Sequence, residues 1–297
     1  MKRMHRFRIL IFLFAVSVLA ANPAWGQTAA APTVLKANVV ENRLDSKLMG
    51  RQMPYRVVLP VGYKDAANAV KRYPVLYLLH GLTGHFDNWT SRSDLAKYAE
   101  AYQMLIVTPE GENGWYTDSL TNPREKYESY IIKELIPEID SKYRTDPVRA
   151  KRAIAGLSMG GYGALKFGIK YPGMFVLAGS LSGALRAAQY NLKNSGAIGK
   201  SIEEIFGPEG GETRNANDVF KLVSEMPVEK IKSLPFIYLD CGIDDFIFQQ
   251  SRDFSGLLIE KKVPHEYREL PGAHNWQYWD KQVKELLVVA SQTFTSK

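Results

Sequence analysis

The stretch Gly156-Leu157-Ser158-Met159-Gly160 decides the fold of this 297-residue chain. It has the form G-x-S-x-G, in which a serine stands on a sharp turn between a strand and a helix. The flanking glycines leave room where a side chain would collide with neighbouring elements. Residues 152–156 read as a short buried strand, and residues 161–171 as the helix that follows. An ordinary serine in a tight turn is the alternative, so the rest of the chain must supply a base, an acid and an oxyanion hole.

Strand-like and helix-like segments alternate on both sides of this turn. Apolar runs predict buried strands, most of them parallel, at 74–80, 105–109, 175–181, 235–241 and 265–270. Amphipathic segments predict helices at 88–101, 123–143, 248–262 and 276–294. Two earlier segments, 34–41 and 51–59, predict an antiparallel pair at a sheet edge, and 182–234 predicts an insertion over the sheet, a small lid. The pattern indicates one α/β domain over 34–297, with helices on both faces of a mostly parallel sheet.

The first 26 residues have the pattern of a secretory signal. A basic start precedes an apolar segment at 9–21, and Ala24-Trp25-Gly26 provides small residues at a cleavage site. We expect cleavage before Gln27, a disordered leader over 27–33, and a periplasmic or secreted protein. A transmembrane anchor is the alternative, but the apolar segment is short for a bilayer. No stable membrane anchor is therefore expected after cleavage.

Composition narrows the classes of partner and cofactor. The formal net charge is +7, four of the positive charges lie in the first 26 residues, and no basic stripe alternates with aromatics, so nucleic acid is not an expected partner. The single cysteine, Cys241, excludes an internal disulfide and ends an apolar run, which favours a buried hydrophobic role over a catalytic thiol. Nothing approaches the spacing of a metal site, so we expect no metal and no cofactor. Composition does not give the oligomeric state.

Candidates for the base and the acid follow the later strands. In a parallel sheet of this kind the active site lies beyond the carboxyl ends of the strands. A serine hydroxyl needs a base, usually histidine, and an acid that orients the base. Of the five histidines, His274 comes directly after the last predicted strand, which suits the chain order Ser, Asp, His. Asp240 lies within a strand, where a structural hydrogen bond is expected. Asp244 and Asp245 share the next loop, and the residues alone do not choose between them.

An oxyanion hole requires two backbone N–H groups that point to the developing negative charge. One normally belongs to the residue after the nucleophile, here Met159. The other belongs to a loop after an early central strand, where His80-Gly81-Leu82 stands and Gly81 permits close approach. Leu82 N–H is therefore the second candidate donor.

Five motifs stand in order along the mature chain: Leu78-Leu79-His80-Gly81 with Trp89, Gly114-Trp115-Tyr116-Thr117-Asp118, the extended elbow 156–163, the aspartate loop 241–246, and the histidine loop 271–279. Together they resemble the esterase D / putative esterase family of α/β-hydrolases, over most of the chain. This group includes carboxylesterases, S-formylglutathione hydrolases, feruloyl and acetylxylan esterases, and mycolyltransferases.

The resemblance implies an α/β-hydrolase fold and a role for each matching residue. Ser158 is implied as nucleophile, His274 as base, and Leu82 and Met159 as oxyanion donors. Asp245 is implied as the acid, because the family aspartate is the second acidic residue before a Phe. Asp244 departs from the Glu that relatives often carry there. Gly81, Trp115 and Tyr116 match positions that border the substrate pocket.

The expected activity is hydrolysis of short-chain acyl or aryl esters through an acyl-enzyme, without a cofactor. The partner would be a small-molecule or polysaccharide-linked ester. A feruloyl or acetylxylan esterase and an acyltransferase of the same family are alternatives with the same chemistry. S-formylglutathione hydrolysis is disfavoured because that thiol substrate is cytosolic, and a non-catalytic binding protein is disfavoured by the complete set of three candidate residues.

Overall fold

A computed structural model describes residues 35–190 and 196–295. The predicted signal, 1–26, and the predicted leader, 27–33, lie outside the described residues and stay predictions. The strands are β1 (Val39–Ser46), β2 (Arg51–Val58), β3 (Val75–Leu79), β4 (Leu105–Pro109), β5 (Arg152–Leu157), β6 (Leu177–Leu181), β7 (Phe236–Gly242) and β8 (His265–Leu270). The helices are α1 (Asn88–Ser91), α2 (Leu95–Tyr98), α3 (Tyr127–Tyr130), α4 (Ile136–Lys142), α5 (Met159–Lys170), α6 (Gly196–Phe206), α7 (Glu212–Asn215), α8 (Val219–Ser224), α9 (Val228–Ile231), α10 (Phe248–Glu260) and α11 (Trp276–Thr295).

The strands form one sheet in the order β1-β2-β4-β3-β5-β6-β7-β8. The pairs β1–β2 and β2–β4 are antiparallel, and the remaining pairs are parallel. The mostly parallel sheet is therefore confirmed. Chain order reverses at β3, because β4 lies on one side of it and β5 on the other. Ligand sites in such sheets lie beyond the carboxyl ends of the strands at this reversal, and the loops after β3 and β5 carry Gly81 and Ser158.

Strand β1 lies at the predicted edge, but its bounds were predicted wrongly. The prediction placed it at 34–41 with a polar turn after it, whereas the observed strand runs to Ser46, paired with Arg51. Alternate β1 residues are exposed because the strand lies at the sheet edge. An edge strand accepts polar side chains on its open face, and this is why residues 42–46 had the composition of a loop.

The core has two layers, one on each face of the sheet. Alternate residues of β3 show the division: Tyr77 and Leu79 belong to one hydrophobic cluster, and Leu76 and Leu78 to the other. Helix α5 packs in the first cluster and α11 in the second. Helices on both faces, as predicted, bury the central strands completely.

Two predicted helices are interrupted. The segment 88–101 forms α1, α2 and a 3-10 turn at Ala99–Ala101. In the segment 123–143, helix begins only at Tyr127, and a π-helical turn, Ile131–Leu135, joins α3 to α4. Pro137 follows that turn, and the wider turn relieves the clash that a proline ring makes with the carbonyl four residues earlier. Within the described residues, no helix combines the length and the hydropathy needed to cross a bilayer.

At the turn after Ser158, helix α5 packs closely against the end of β3. A Cβ atom at Gly160 would lie 2.5 Å from the carbonyl oxygen of Leu79 and 2.6 Å from that of His80. Both atoms belong to the main chain and cannot rotate away. We expect Gly160→Ala to lower the free energy of unfolding by about 2 kcal/mol or more, measured by urea titration.

Gly256 provides the matched control, because it lies on the exposed face of α10 with no atom within 4 Å of a built Cβ. Glycine inside a helix costs about 0.5–1 kcal/mol relative to alanine, so Gly256→Ala should raise stability by that amount. Equal effects of the two substitutions would contradict the close approach at Gly160.

Candidate active site

Ser158 stands at the turn between β5 and α5 with φ +53° and ψ −117°, a strained conformation for a residue other than glycine. Hydrogen bonds hold the strained unit on both sides. Its N–H donates to the carbonyl of Leu181 at 2.9 Å, and its carbonyl accepts from the N–H groups of Tyr162 and Ala184, each at 3.0 Å. The turn therefore lifts the Ser158 side chain above the end of the sheet, the geometry of a nucleophile elbow.

The structure brings Ser158, His274 and Asp245 into one hydrogen-bonded chain. Ser158 Oγ lies 3.0 Å from His274 Nε2, and His274 Nδ1 lies 2.8 Å from Asp245 Oδ2. A carboxylate can only accept, so Nδ1 carries the proton and Nε2 is left to accept from the serine hydroxyl. This is the protonation pattern that a serine nucleophile needs in its base.

Asp245 is fixed and charged. Its side chain is fully buried, and its second oxygen accepts the N–H of Ile247 at 3.0 Å. Burial disfavours the charge, but the hydrogen bonds from His274 and from Ile247 N–H outweigh burial, and the pKa of Asp245 is lowered below its ordinary value. Asp244, in contrast, is exposed.

Aromatic side chains hold the His274 ring on two sides. The Phe246 ring centroid lies 4.7 Å from that of His274, and the Trp279 ring meets it edge-on at 4.9 Å. Trp279 of α11 is buried as well as packed against the histidine. These contacts limit rotation of the imidazole about the two hydrogen bonds.

The loop after β3 approaches Ser158 closely. A Cβ at Gly81 would lie 2.5 Å from the end of the Leu157 side chain and 3.3 Å from Ser158 Cβ, so a larger residue here would require the Leu157 side chain to move. The N–H groups of Leu82 and Met159 have no acceptor among the described residues. Both candidate donors are therefore available to a ligand.

Glu110 was not among the residues predicted from the sequence. It connects the loop after β3 to the loop after β4. Its buried carboxylate lies 3.1 Å from His80 Nε2 and 3.2 Å from His85 Nδ1, and it accepts the N–H of Glu112 at 2.6 Å. Burial opposes its charge, but these contacts lower the pKa of Glu110 to about 2. Its position directly after the carboxyl end of β4 was the signal that could have indicated it.

Ser158 and His274 line an open cavity of about 450 Å³. Gly81 and Trp115, two of the three residues that the resemblance placed at the pocket, line this cavity too, together with Leu82 and with Ile198 of α6 from the predicted insertion. The insertion thus contributes to the wall of the cavity. Phe246 and Ile198, which the sequence argument did not select, expose apolar surface at this cavity.

The prediction that Tyr116 lines the pocket is wrong. Tyr116 is fully buried beneath the cavity, and its hydroxyl donates to the carbonyl of His80 at 3.0 Å. The cause is a rare backbone conformation: Trp115 and Tyr116 have φ +50° and +49°, and such consecutive left-handed residues direct the two rings to different places. Tyr116 supports the loop after β3, and of these two residues only Trp115 lines the cavity.

A buried lysine stabilises this strained pair. Lys166 of α5 is fully buried, and its ammonium donates to the carbonyl of Tyr116 at 2.6 Å and to the hydroxyl of Thr117 at 2.7 Å. Glu128 pairs with it at 2.9 Å. Desolvation nevertheless lowers the pKa of Lys166 to about 8.

Other candidate groups have structural places. Cys241 is fully buried within β7, and burial raises the pKa of its thiol to about 12, so it is not a reactive thiol. Asp240 accepts a hydrogen bond from the hydroxyl of Tyr278 at 3.0 Å, the structural role predicted for it. In the described part of the chain, no three His, Cys, Asp or Glu side chains are grouped so that they could hold a metal ion.

Comparison with known proteins places the chain in a family. The model of a family described as "Putative esterase" matches residues 46–288, which is most of the chain. The chain belongs to this family. This esterase is 31% identical over 247 residues to an acetyl esterase of Caldicellulosiruptor saccharolyticus, in an alignment that covers 80% of this chain and 92% of that protein.

Solved structures confirm the fold. A ferulic acid esterase superposes on this esterase with a TM-score of 0.74 and 29% identity, over 86% of this chain and 97% of that one. A fluorophosphonate-binding serine hydrolase of Staphylococcus aureus superposes with a TM-score of 0.77 and 25% identity, over 85% and 98%. The fold is therefore the α/β-hydrolase fold, and the chain is a hydrolase of carboxylic esters.

Proposed function

We propose that this esterase hydrolyses short-chain acyl or aryl esters by a serine mechanism. The observation that carries the proposal is the hydrogen-bonded chain from Ser158 through His274 to Asp245, at the base of an open cavity. In that mechanism Ser158 Oγ attacks the ester carbonyl while His274 Nε2 takes its proton. Asp245 holds the imidazole tautomer and stabilises the imidazolium.

The oxyanion of the tetrahedral intermediate would lie against the N–H groups of Leu82 and Met159. Two such donors in a preorganised site stabilise the charge as it develops. The alcohol then leaves with the proton from His274, and an acyl-Ser158 ester remains. Water repeats the attack and gives a proton to His274, which returns it to Ser158 Oγ as the acid is released. No step requires a metal or an organic cofactor.

The cavity supports small or flat acyl groups. Its volume of about 450 Å³ is in the lower half of the range for small-molecule sites, and the rings of Trp115, Phe246, Trp276 and Trp279 line it. Aromatic walls suit an aryl acyl group, which can stack on them. This feature, together with the likeness to a ferulic acid esterase, supports feruloyl ester hydrolysis as a second candidate function.

A series of p-nitrophenyl esters from acetyl to palmitoyl, together with methyl ferulate, tests acyl selectivity. We expect kcat/KM to fall at least about tenfold from the short esters to the palmitoyl ester, because the long acyl chain does not fit inside the cavity. Preference for methyl ferulate would move the assignment to the second candidate function. Preference for the palmitoyl ester would contradict both, and product formed only with an added acceptor alcohol would indicate an acyltransferase.

Export of this esterase is proposed from the sequence alone, on the basic start and apolar segment of residues 1–26. Mass spectrometry of the intact protein recovered outside the cytoplasm tests this proposal. A mature chain that begins at Gln27 is expected, and retention of the full chain in the cytoplasm would contradict export.

A further inference from the structure

Arg92 presents a positive charge to the cavity that contains Ser158. It follows α1, is exposed to solvent and lines the same cavity as Ser158 and His274. Its guanidinium carbon lies 5.9 Å from the centroid of the Trp276 ring, which also lines the cavity. A guanidinium over an indole is held electrostatically and keeps its N–H groups free to donate. Arg92 is thus partly oriented before any ligand binds.

The described part of the cavity wall carries no negative charge. Its lining includes no Asp and no Glu, and Arg92 is the one side chain there with a permanent charge. The other polar groups are neutral hydroxyls and amides, apart from the imidazole of His274. A cavity with a single cation and no carboxylate attracts anionic groups and disfavours cationic ones.

Neighbouring carboxylates leave Arg92 without an ion pair among the described residues. Asp94 pairs with Lys36 at 3.1 Å. Asp280 accepts the N–H of Asp94 at 2.8 Å and the hydroxyl of Tyr98 at 3.0 Å. Asp94 and Asp280 line a shallow surface depression beside Arg92, but no described carboxylate forms an ion pair with it, so its N–H groups stay available to a ligand.

We propose that Arg92 determines specificity by binding a carboxylate on the ester substrate. The proposal rests on the serine-esterase function proposed above and names the substrate class of that site: esters whose acyl or alcohol part carries a carboxylate. The planar guanidinium offers two parallel N–H donors that match the two oxygens of a carboxylate. Trp276 supplies the apolar surface along which the rest of that substrate part can pack.

Two matched substrate pairs test the proposal and separate the two ends of the ester. For the acyl side, 4-nitrophenyl hexanoate is compared with the mono-4-nitrophenyl ester of adipic acid. For the alcohol side, phenyl acetate is compared with 3-acetoxybenzoic acid. Within each pair the two esters have nearly the same shape near the reacting carbonyl, and one member carries a carboxylate at neutral pH.

We expect Arg92→Gln to lower kcat/KM roughly five- to tenfold for the carboxylate ester of one pair, and to change its neutral partner less than about twofold. Arg92→Lys should retain part of the activity on the carboxylate ester, since lysine keeps the positive charge but lacks the two parallel N–H donors of the guanidinium. Added salt should reduce the wild-type preference for the carboxylate ester, because the site is open to solvent. The pair that responds shows which end of the ester Arg92 meets.

Arg43→Gln is the matched control, because Arg43 is an exposed arginine on the edge strand β1, outside the cavity lining. It should leave both pairs unchanged. An equal loss on neutral and carboxylate esters in Arg92→Gln would overturn the proposal and assign Arg92 to the shape of the wall. No change on either pair would also overturn it. Absence of wild-type activity on the neutral esters would instead reject the proposed esterase function, so the two failures are distinguishable.

Discussion

Ser158→Ala is expected to lower the turnover of a short p-nitrophenyl ester roughly 10⁴-fold or more. The serine oxygen forms the bond to the acyl group, and no other described hydroxyl lies at His274 Nε2. What remains after its removal is the stabilisation from the N–H groups of Leu82 and Met159 and from substrate binding. Steady-state kinetics with purified protein measures the loss.

Two controls make this result specific. Ser141→Ala removes an exposed hydroxyl of α4 that bonds only to its own helix, and it should keep wild-type turnover. Circular dichroism and the urea midpoint should match between Ser158→Ala and wild type, since the hydroxyl fills no part of the core. Activity within tenfold of wild type in Ser158→Ala would mean that the elbow serine is not the nucleophile.

Asp245→Asn is expected to lower kcat roughly 10³- to 10⁴-fold, with little change in folding. Its carboxylate accepts the Nδ1 proton of His274 at 2.8 Å, and an amide in its place can donate to Nδ1 and so favour the tautomer that cannot take the serine proton. The pKa of Asp245 lies below its ordinary value of 3.8, so the carboxylate stays charged at higher pH. The loss is therefore expected at neutral pH, where the wild-type carboxylate is fully charged.

Asp244→Asn is the neighbouring control. Asp244 is exposed, and its N–H donates to the carbonyl of Gly272 at 2.9 Å, a bond that the substitution keeps. We expect turnover within about twofold of wild type. A large loss in Asp244→Asn with activity retained in Asp245→Asn would exchange the roles of the two residues.

The sequence predicted the central sheet because strands buried on both faces have little choice of composition. Apart from Arg152 at the start of β5, the strands β3, β5 and β6 consist of small or apolar residues, and the glycines at the turn to α5 allow the helix to pack closely. His274 was predictable for a related reason, since it follows the last strand directly. Polar edge segments carry a weaker signal, and this is why β1 was placed five residues too early at its start.

Side-chain direction within a loop was not predictable from the residues. Asp244 and Asp245 have the same chemistry, and only the folded turn, with Asp245 N–H on the carbonyl of Gly242, directs one to the base and the other to solvent. The resemblance to a family was needed to choose between them. Tyr116 shows the limit of that resemblance too, because a bulky aromatic residue at positive φ carries no mark in the sequence.

The buried lysine beneath the strained Trp115-Tyr116 pair has a consequence for protein engineering. Any replacement of Trp115 intended to enlarge the cavity must keep a backbone conformation that Lys166, paired with Glu128, supports from inside the core. Ile198, which lines the same cavity, is different, because its side chain on α6 is about half exposed. A library directed at the Ile198 side should therefore yield folded variants with altered acyl range more often than one directed at Trp115.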